Sequence, residues 1–190
     1  GGTSGTSPTG AGLDSTNLST LAASGVPVGK SLYEKDMLDF AKKLLGGGFG
    51  KAKIPLPVDV VVAPSLDPGV KGTLRKAGAV GPDDMILDIG PETAKLYAQR
   101  LAGAGTIVWN GPVGVFENPE FAAGTRQIAE AVAASSAFSI AGGGDTLAAI
   151  EQFNVGDRIS YVSTGGGAFL EVLEGKTLPA FEILQKRAAG

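Results

Sequence analysis

The feature that most constrains this chain is a series of short segments rich in β-branched and aromatic residues, alternating with helical periods and each ending in glycine or a small polar residue. PVDVVVA (57–63), MILDIG (85–90), GTIVWNGP (105–112), AFSIAGG (137–143) and RISYVSTGG (158–166) read as strands. SLYEKDMLDFAKKLL (31–45), ETAKLYAQRLAGA (92–104), PEFAAGTRQIAEAVAASS (119–136), TLAAIEQFN (146–154) and AFLEVLEG (168–175) read as helices. Nearly continuous Val/Ile runs predict strands covered on both faces. The βαβα alternation predicts parallel pairing with right-handed crossovers. The expected fold class is therefore α/β: an open, mostly parallel sheet with helices on both faces, in a three-layer, Rossmann-like arrangement.

Outside that pattern the chain is plainer. Residues 1–24 are rich in Gly, Ser and Thr without a clear period, and are expected to be an irregular low-complexity segment. Residues 25–190 then form the α/β domain. Ser31 is positioned to cap the helix at 31–45, with Glu34 three residues on, and the glycines at 46–48 end it. The Gly/Pro-rich segment 64–84 is expected to be irregular.

Composition removes several chemistries. With 43% hydrophobic and 18% charged residues the chain is globular. It has no cysteine, which excludes disulfides and thiolate metal sites, and no histidine, which excludes Ser-His-Asp triads, imidazole bases and most zinc sites. Carboxylates, lysines, hydroxyls and backbone amides are left to do any chemistry. The net charge is −3 with basic residues scattered, so no nucleic-acid partner is expected. Apolar runs are too short to cross a bilayer and no targeting signal is visible, so the expectation is a cytoplasmic protein without a membrane partner.

In an open parallel sheet, ligands sit beyond the carboxyl ends of the strands. Four of the five predicted strands end distinctively there: LDIGPET with Asp88 and Gly90; WNGPVGVFE with Asn110, Gly111, Gly114 and Glu117; AGGGDT with Gly142, Gly143, Gly144, Asp145 and Thr146; and STGGGA with Ser163, Thr164, Gly165, Gly166 and Gly167. The two glycine clusters each precede a helix whose first turn offers unpaired N–H groups and partial positive charge, a setting that accepts phosphate. Asp145 would repel phosphate by itself, and a magnesium ion between them resolves the conflict. The alternative is that Asp145 and Thr146 only cap a tight turn, which is the better reading of one cluster alone. Two clusters at neighbouring strand ends reverse that preference. Neither a GK[ST] sequence nor GxGxxG follows, which disfavours both a P-loop and a nicotinamide-dependent dehydrogenase. Trp109 reads as core or wall. Glu117 reads as a helix-capping acid or a ribose ligand, and Asp88 as a turn-stabilising acid.

Taken together, WNGPVGVFE, AGGGDT and STGGGAFLEVLEGKTLP, with LPVDVVVA and LDIGPET upstream, resemble the C-terminal nucleotide-binding lobe of phosphoglycerate kinases over about residues 25–185. The resemblance implies reversible phosphoryl transfer in glycolysis, between the acyl phosphate of 1,3-bisphosphoglycerate and Mg-ADP, giving 3-phosphoglycerate and ATP. It implies that Gly143, Gly144, Asp145 and Thr146 hold nucleotide phosphates, with Asp145 on Mg2+. Asn110 and Gly111 would lie near those phosphates and Glu117 would take the ribose. Gly165, Gly166 and Gly167 would open the helix facing the transferring phosphoryl group, a catalytic role. The family's N-terminal lobe, which binds phosphoglycerate, and the first stretch of the nucleotide lobe are not recognisable here, and Ile86 stands where the family usually has glycine. The chain is therefore expected to be a monomeric fragment that binds Mg-ADP or Mg-ATP with little turnover. The alternative expectation is a non-catalytic nucleotide-binding or structural α/β module.

Overall fold

The computed structural model describes residues 15–33, 35–46 and 53–164. In chain order the elements are α1 (Ser15–Ala23), α2 (Leu38–Leu45), β1 (Asp59–Ala63), β2 (Thr73–Lys76), β3 (Met85–Ile89), α3 (Pro91–Ala102), β4 (Thr106–Asn110), α4 (Ala123–Ala134), β5 (Phe138–Gly142), α5 (Gly144–Gln152) and β6 (Tyr161–Val162). The predicted helix at 168–175 lies outside the described residues.

The strands form two sheets, where one mostly parallel sheet was expected. One is antiparallel with order β2-β1-β3, and the other is parallel with order β4-β5-β6. The connections explain the split. Between β4 and β5, and again between β5 and β6, the chain forms a helix that can carry it back for parallel pairing. Between β1 and β3 it forms only β2 and a 3-10 turn, so β3 returns antiparallel. Strand β2 lies inside the segment expected to be irregular. All four of its residues are exposed, so it has no buried face to leave an alternating pattern in the sequence.

Burial also differs between the sheets. β1 is covered on both faces, as its Val run predicts. β4 instead alternates, with Ile107 and Trp109 buried while Thr106, Val108 and Asn110 are exposed. Trp109 is thus core, as expected. One large apolar cluster runs from Leu18 and Leu21 of α1 through Val60, Val62 and Ile89 to Trp109 and Val132. A smaller one, of Ala63, Leu87, Val115 and Phe121, packs around a different set of β1 and β3 side chains.

Residues 1–24 were expected to be irregular, but Ser15–Ala23 is helix α1, held by Leu18 and Leu21 at 4% and 2% exposure. Burying two leucines offsets the weak propensity of a Ser/Thr-rich segment. Ser31 does not cap the helix after it. Its buried hydroxyl accepts the Ile86 N–H at 2.9 Å, because a backbone donor of β3 that is removed from water needs a partner. A 3-10 turn, Lys35–Met37, leads into α2 in place of a capped α-helical start.

Two helices of the domain receive their N-terminal caps from remote strands. Asp59 of β1 is 2% exposed and accepts the N–H groups of Glu92 and Thr93 in the first turn of α3, at 3.1 and 2.7 Å; the Thr93 hydroxyl lies 2.6 Å from the same carboxylate. Asp88 of β3 is 1% exposed and accepts the Gly124 N–H, at the start of α4, at 2.7 Å, and its neighbour's Ile89 N–H at 2.9 Å. The reading of Asp88 as a structural acid holds, although the N–H it serves is far away in the sequence.

Candidate functional site

Parallel pairing of β4 with β5 sets Asn110 opposite Gly142, so the two strands end side by side. The segments that follow, 111–117 and 143–146, therefore start from the same edge of the sheet. Gly111 and Gly143 both leave their strands with positive φ, +90° and +95°. A side chain would strain that backbone, and a Cβ on Gly143 would also come within 2.7 Å of Asn110 Oδ1.

Thr146 locks the two segments together. It is 0% exposed, and its hydroxyl accepts the Gly111 N–H at 2.6 Å. The Trp109 indole donates to the Gly111 carbonyl at 3.0 Å, which fixes the same residue from its other side. Thr146 thus reaches the site through its backbone, while its side chain acts as a strut. Sequence spacing could not show this, since the partner is 35 residues away.

Beyond the strut the site is open. Gly143 is the N-cap of α5 and supplies no side-chain acceptor. The first backbone bond into the helix is Leu147 N–H to the Gly143 carbonyl at 3.0 Å. Ahead of it the N–H groups of Gly144, Asp145 and Thr146 have no acceptor among the described residues. Gly144 and Asp145 are exposed, as is Asn110. The result is a set of aligned donors with one carboxylate at their rim, which favours an anion together with a cation.

Of the predicted site residues, the structure brings together Asn110, Gly111, Gly143, Gly144, Asp145 and Thr146. Glu117 is exposed at the far end of the loop and has no hydrogen bond or ion pair among the described residues. Gly165, Gly166 and Gly167 lie outside the described residues. Among the described residues no group of three or more His, Cys, Asp or Glu side chains could hold a metal. An apolar cavity of about 250 Å³, lined by Tyr97, Leu101, Trp109 and Val132 among others, includes none of these residues. No helix of the described residues is long and apolar enough to cross a membrane.

The carboxyl group of Asp88 lies beneath the 111–117 segment. Burial pushes it up to about 7, against the downward pull of the Gly124 and Ile89 N–H groups.

An α/β domain that gathers exposed polar groups and free N–H donors at the carboxyl ends of parallel strands belongs to the class that binds ligands at that edge. The family model described as phosphoglycerate kinase matches residues 16–176, and the chain belongs to the phosphoglycerate kinase family. It is 50% identical to the solved phosphoglycerate kinase from Coxiella burnetii, with a TM-score of 0.86, covering 92% of this chain and 45% of that one. It is 33% identical to the crystal structure of the phosphoglycerate kinase from Pyrococcus horikoshii OT3, with a TM-score of 0.74, covering 89% of this chain and 43% of that one. The chain thus spans less than half the length of either solved kinase.

Proposed function

We propose that the chain is the nucleotide-binding part of a phosphoglycerate kinase and that the open N-terminus of α5 receives the phosphates of ADP or ATP. The observation that carries this reading is the run of three N–H groups, at Gly144, Asp145 and Thr146, that have no acceptor among the described residues, beside Asn110 and Gly111. Asp145 is the Mg2+ ligand; one carboxylate, completed by phosphate oxygens and water, is how magnesium is commonly held beside a nucleotide. Magnesium, when bound, supplies neutralisation of charge on the phosphate oxygens. Glu117 takes a ribose hydroxyl, its exposed carboxylate being free to accept one. Gly165, Gly166 and Gly167, which lie outside the described residues, take the catalytic role at the transferring phosphoryl group.

In the whole enzyme a terminal phosphate oxygen of ADP attacks the acyl phosphorus of 1,3-bisphosphoglycerate. The bond from that phosphorus to the carboxyl oxygen breaks, leaving 3-phosphoglycerate and ATP. Catalysis of this kind is mainly positioning and electrostatics, which suits a site built from backbone N–H groups and one acid. A separate lobe holds the phosphoglycerate, the enzyme is a cytoplasmic monomer of glycolysis, and further helices cover the exposed face of the parallel sheet to complete a three-layer, Rossmann-like arrangement. The exposure of Val108, Phe138 and Tyr161, at 48%, 56% and 56%, supports the last point.

Calorimetric titration with Mg-ADP tests the site. Asp145→Ala is expected to bind Mg-ADP at least about tenfold more weakly, the scale of one lost charge-assisted contact, and to bind ADP in EDTA as the parent does. Equal affinity for Mg-ADP removes Asp145 from the metal role. The isolated chain is expected to bind nucleotide and to transfer no phosphoryl group from 1,3-bisphosphoglycerate. Turnover at an ordinary enzyme rate would show that the missing length is not needed.

A further inference from the structure

The proposed nucleotide site makes no use of Asp88, an acid buried under the 111–117 segment. Its orientation comes from an irregularity in β3. Val61 pairs with Asp88 but Val62 pairs with Ile86, so Leu87 is an extra residue and the strand is bulged there. Bulges re-aim side chains. In this one Leu87 joins the cluster with Val115 and Phe121, and Asp88 reaches the start of α4. The segment 111–117 is seated on the same place. Val115 N–H donates to the Leu87 carbonyl at 2.8 Å, and Val113 N–H donates to the Thr125 hydroxyl at 3.2 Å. The fit is tight: a Cβ on Gly114 or on Gly124 would lie 2.2 Å from Asp88 Oδ1.

We propose that Asp88 is a positioning residue for the 111–117 segment, its carboxyl group covered by that segment and coupling the segment's seating to proton uptake. The inference rests on the nucleotide reading only in so far as that segment carries Gly111 and Glu117 and follows directly on Asn110. The charged groups on the elements packed against Asp88 are engaged elsewhere or exposed. Asp59 of β1 is bonded to α3, Arg126 of α4 stacks on the Phe153 ring at 5.3 Å, and Glu120 holds Gly72 N–H and Lys71. Glu130 of α4 and Glu117 in the segment are exposed. The proton balance at Asp88 is therefore set by cover and by the two N–H groups.

Linkage gives the direction. The seated segment excludes water from the carboxyl and so favours the protonated form, while a lifted segment lets it ionise. Raising the pH through 7 thus favours lifting, and a ligand that needs the seated segment binds more weakly.

Two measurements on the whole chain test this. Without nucleotide, an NMR titration from about pH 5.5 to about 8.5 follows the Asp88 carboxyl carbon and the indole N–H of Trp109, which is bonded to Gly111. One shared midpoint is expected in the parent chain, and no indole response in Asp88→Asn. An indole that does not titrate, or that has a different midpoint from Asp88, overturns the coupling without need of any variant. With Mg-ADP, Asp88→Asn mimics the protonated acid. It is expected to bind within about threefold of the parent at pH 6 and on the order of tenfold more tightly at pH 8.5. Titration of the ADP phosphates is common to both proteins and cancels in the ratio. A ratio that does not change with pH overturns the proposal. If neither protein binds Mg-ADP, the nucleotide reading fails while the NMR titration still decides the role of Asp88.

Discussion

Helices α3 and α4 start beside the antiparallel sheet, and α5 starts beside the parallel one. A carboxylate is associated with each start, yet the three are used in opposite ways. Asp59 and Asp88 come from remote strands, are buried, and accept first-turn N–H groups of α3 and α4, two in α3 and one in α4. Asp145 belongs to α5 itself, is exposed, and leaves the first N–H groups of that helix without an acceptor among the described residues. A helix start that faces a buried acid has less to offer a ligand, whereas an open one carries the partial positive charge outward. The buried acids of the antiparallel half therefore contribute stability, and the parallel half presents the surface proposed to bind nucleotide.

The largest effect that would sharpen this contrast belongs to Asp88. Its carboxyl titrates at about 7 in the folded chain, raised from an ordinary 3.8. The folded state holds the proton more tightly, so the contribution to stability is full below about pH 4, declines as the pH rises, and levels off above about 7. A rise of that size corresponds to about 4 kcal/mol. Urea unfolding at about pH 4.5 and 7.5 is expected to show that decline in the parent chain and a much smaller one in Asp88→Asn. The same decline in both proteins would mean that Asp88 is not the buried acid responsible.

Next in size is Asp59→Ala, which orphans the first-turn N–H groups of Glu92 and Thr93. A loss of about 3 kcal/mol is expected, on the scale of one to three for each buried group left unpaired. Asp145→Ala is expected to change stability by no more than about 0.5 kcal/mol, because it is a surface substitution outside any packed contact. Chemical denaturation of both variants side by side tests the contrast directly, and equal costs would break it.

The smallest contrast lies within the α5 turn. Gly143→Ala forces a side chain onto φ +95° and against Asn110, for an expected loss of about 2 kcal/mol. At Gly144 an added Cβ meets nothing within 4 Å, so Gly144→Ala is expected to leave the melting temperature nearly unchanged. If both melt alike, the turn does not depend on a left-handed residue.

Strands β1, β3, β4 and β5 were legible because each carries an apolar run, and α3, α4 and α5 because each carries an apolar stripe. β2 was not legible, since TLRK buries none of its residues. Neither was α1, whose helix depends on leucines meeting a core that the sequence does not display. Within the candidate site, glycine and acid at the strand ends pointed to Asn110, Gly111, Gly143, Gly144 and Asp145. Thr146 was read as a ligand contact, and only the fold reveals its hydroxyl as a strut to Gly111. No local pattern marks Asp59 as a cap, because it precedes the residues it serves by more than thirty positions.

By itself the sequence determined the α/β class, the exclusion of histidine and cysteine chemistry, and the glycine-rich strand ends that mark this family. These are local properties, set by side-chain volume, periodicity and which functional groups are present. The tertiary structure decided that the strands divide into an antiparallel and a parallel sheet, that a bulge turns Asp88 beneath the 111–117 segment, and that α5, unlike α3 and α4, meets no buried acid at its N-terminus among the described residues. Those outcomes depend on which backbone donors find an acceptor across the chain, and hydrogen bonding between remote residues leaves no periodic trace in the sequence.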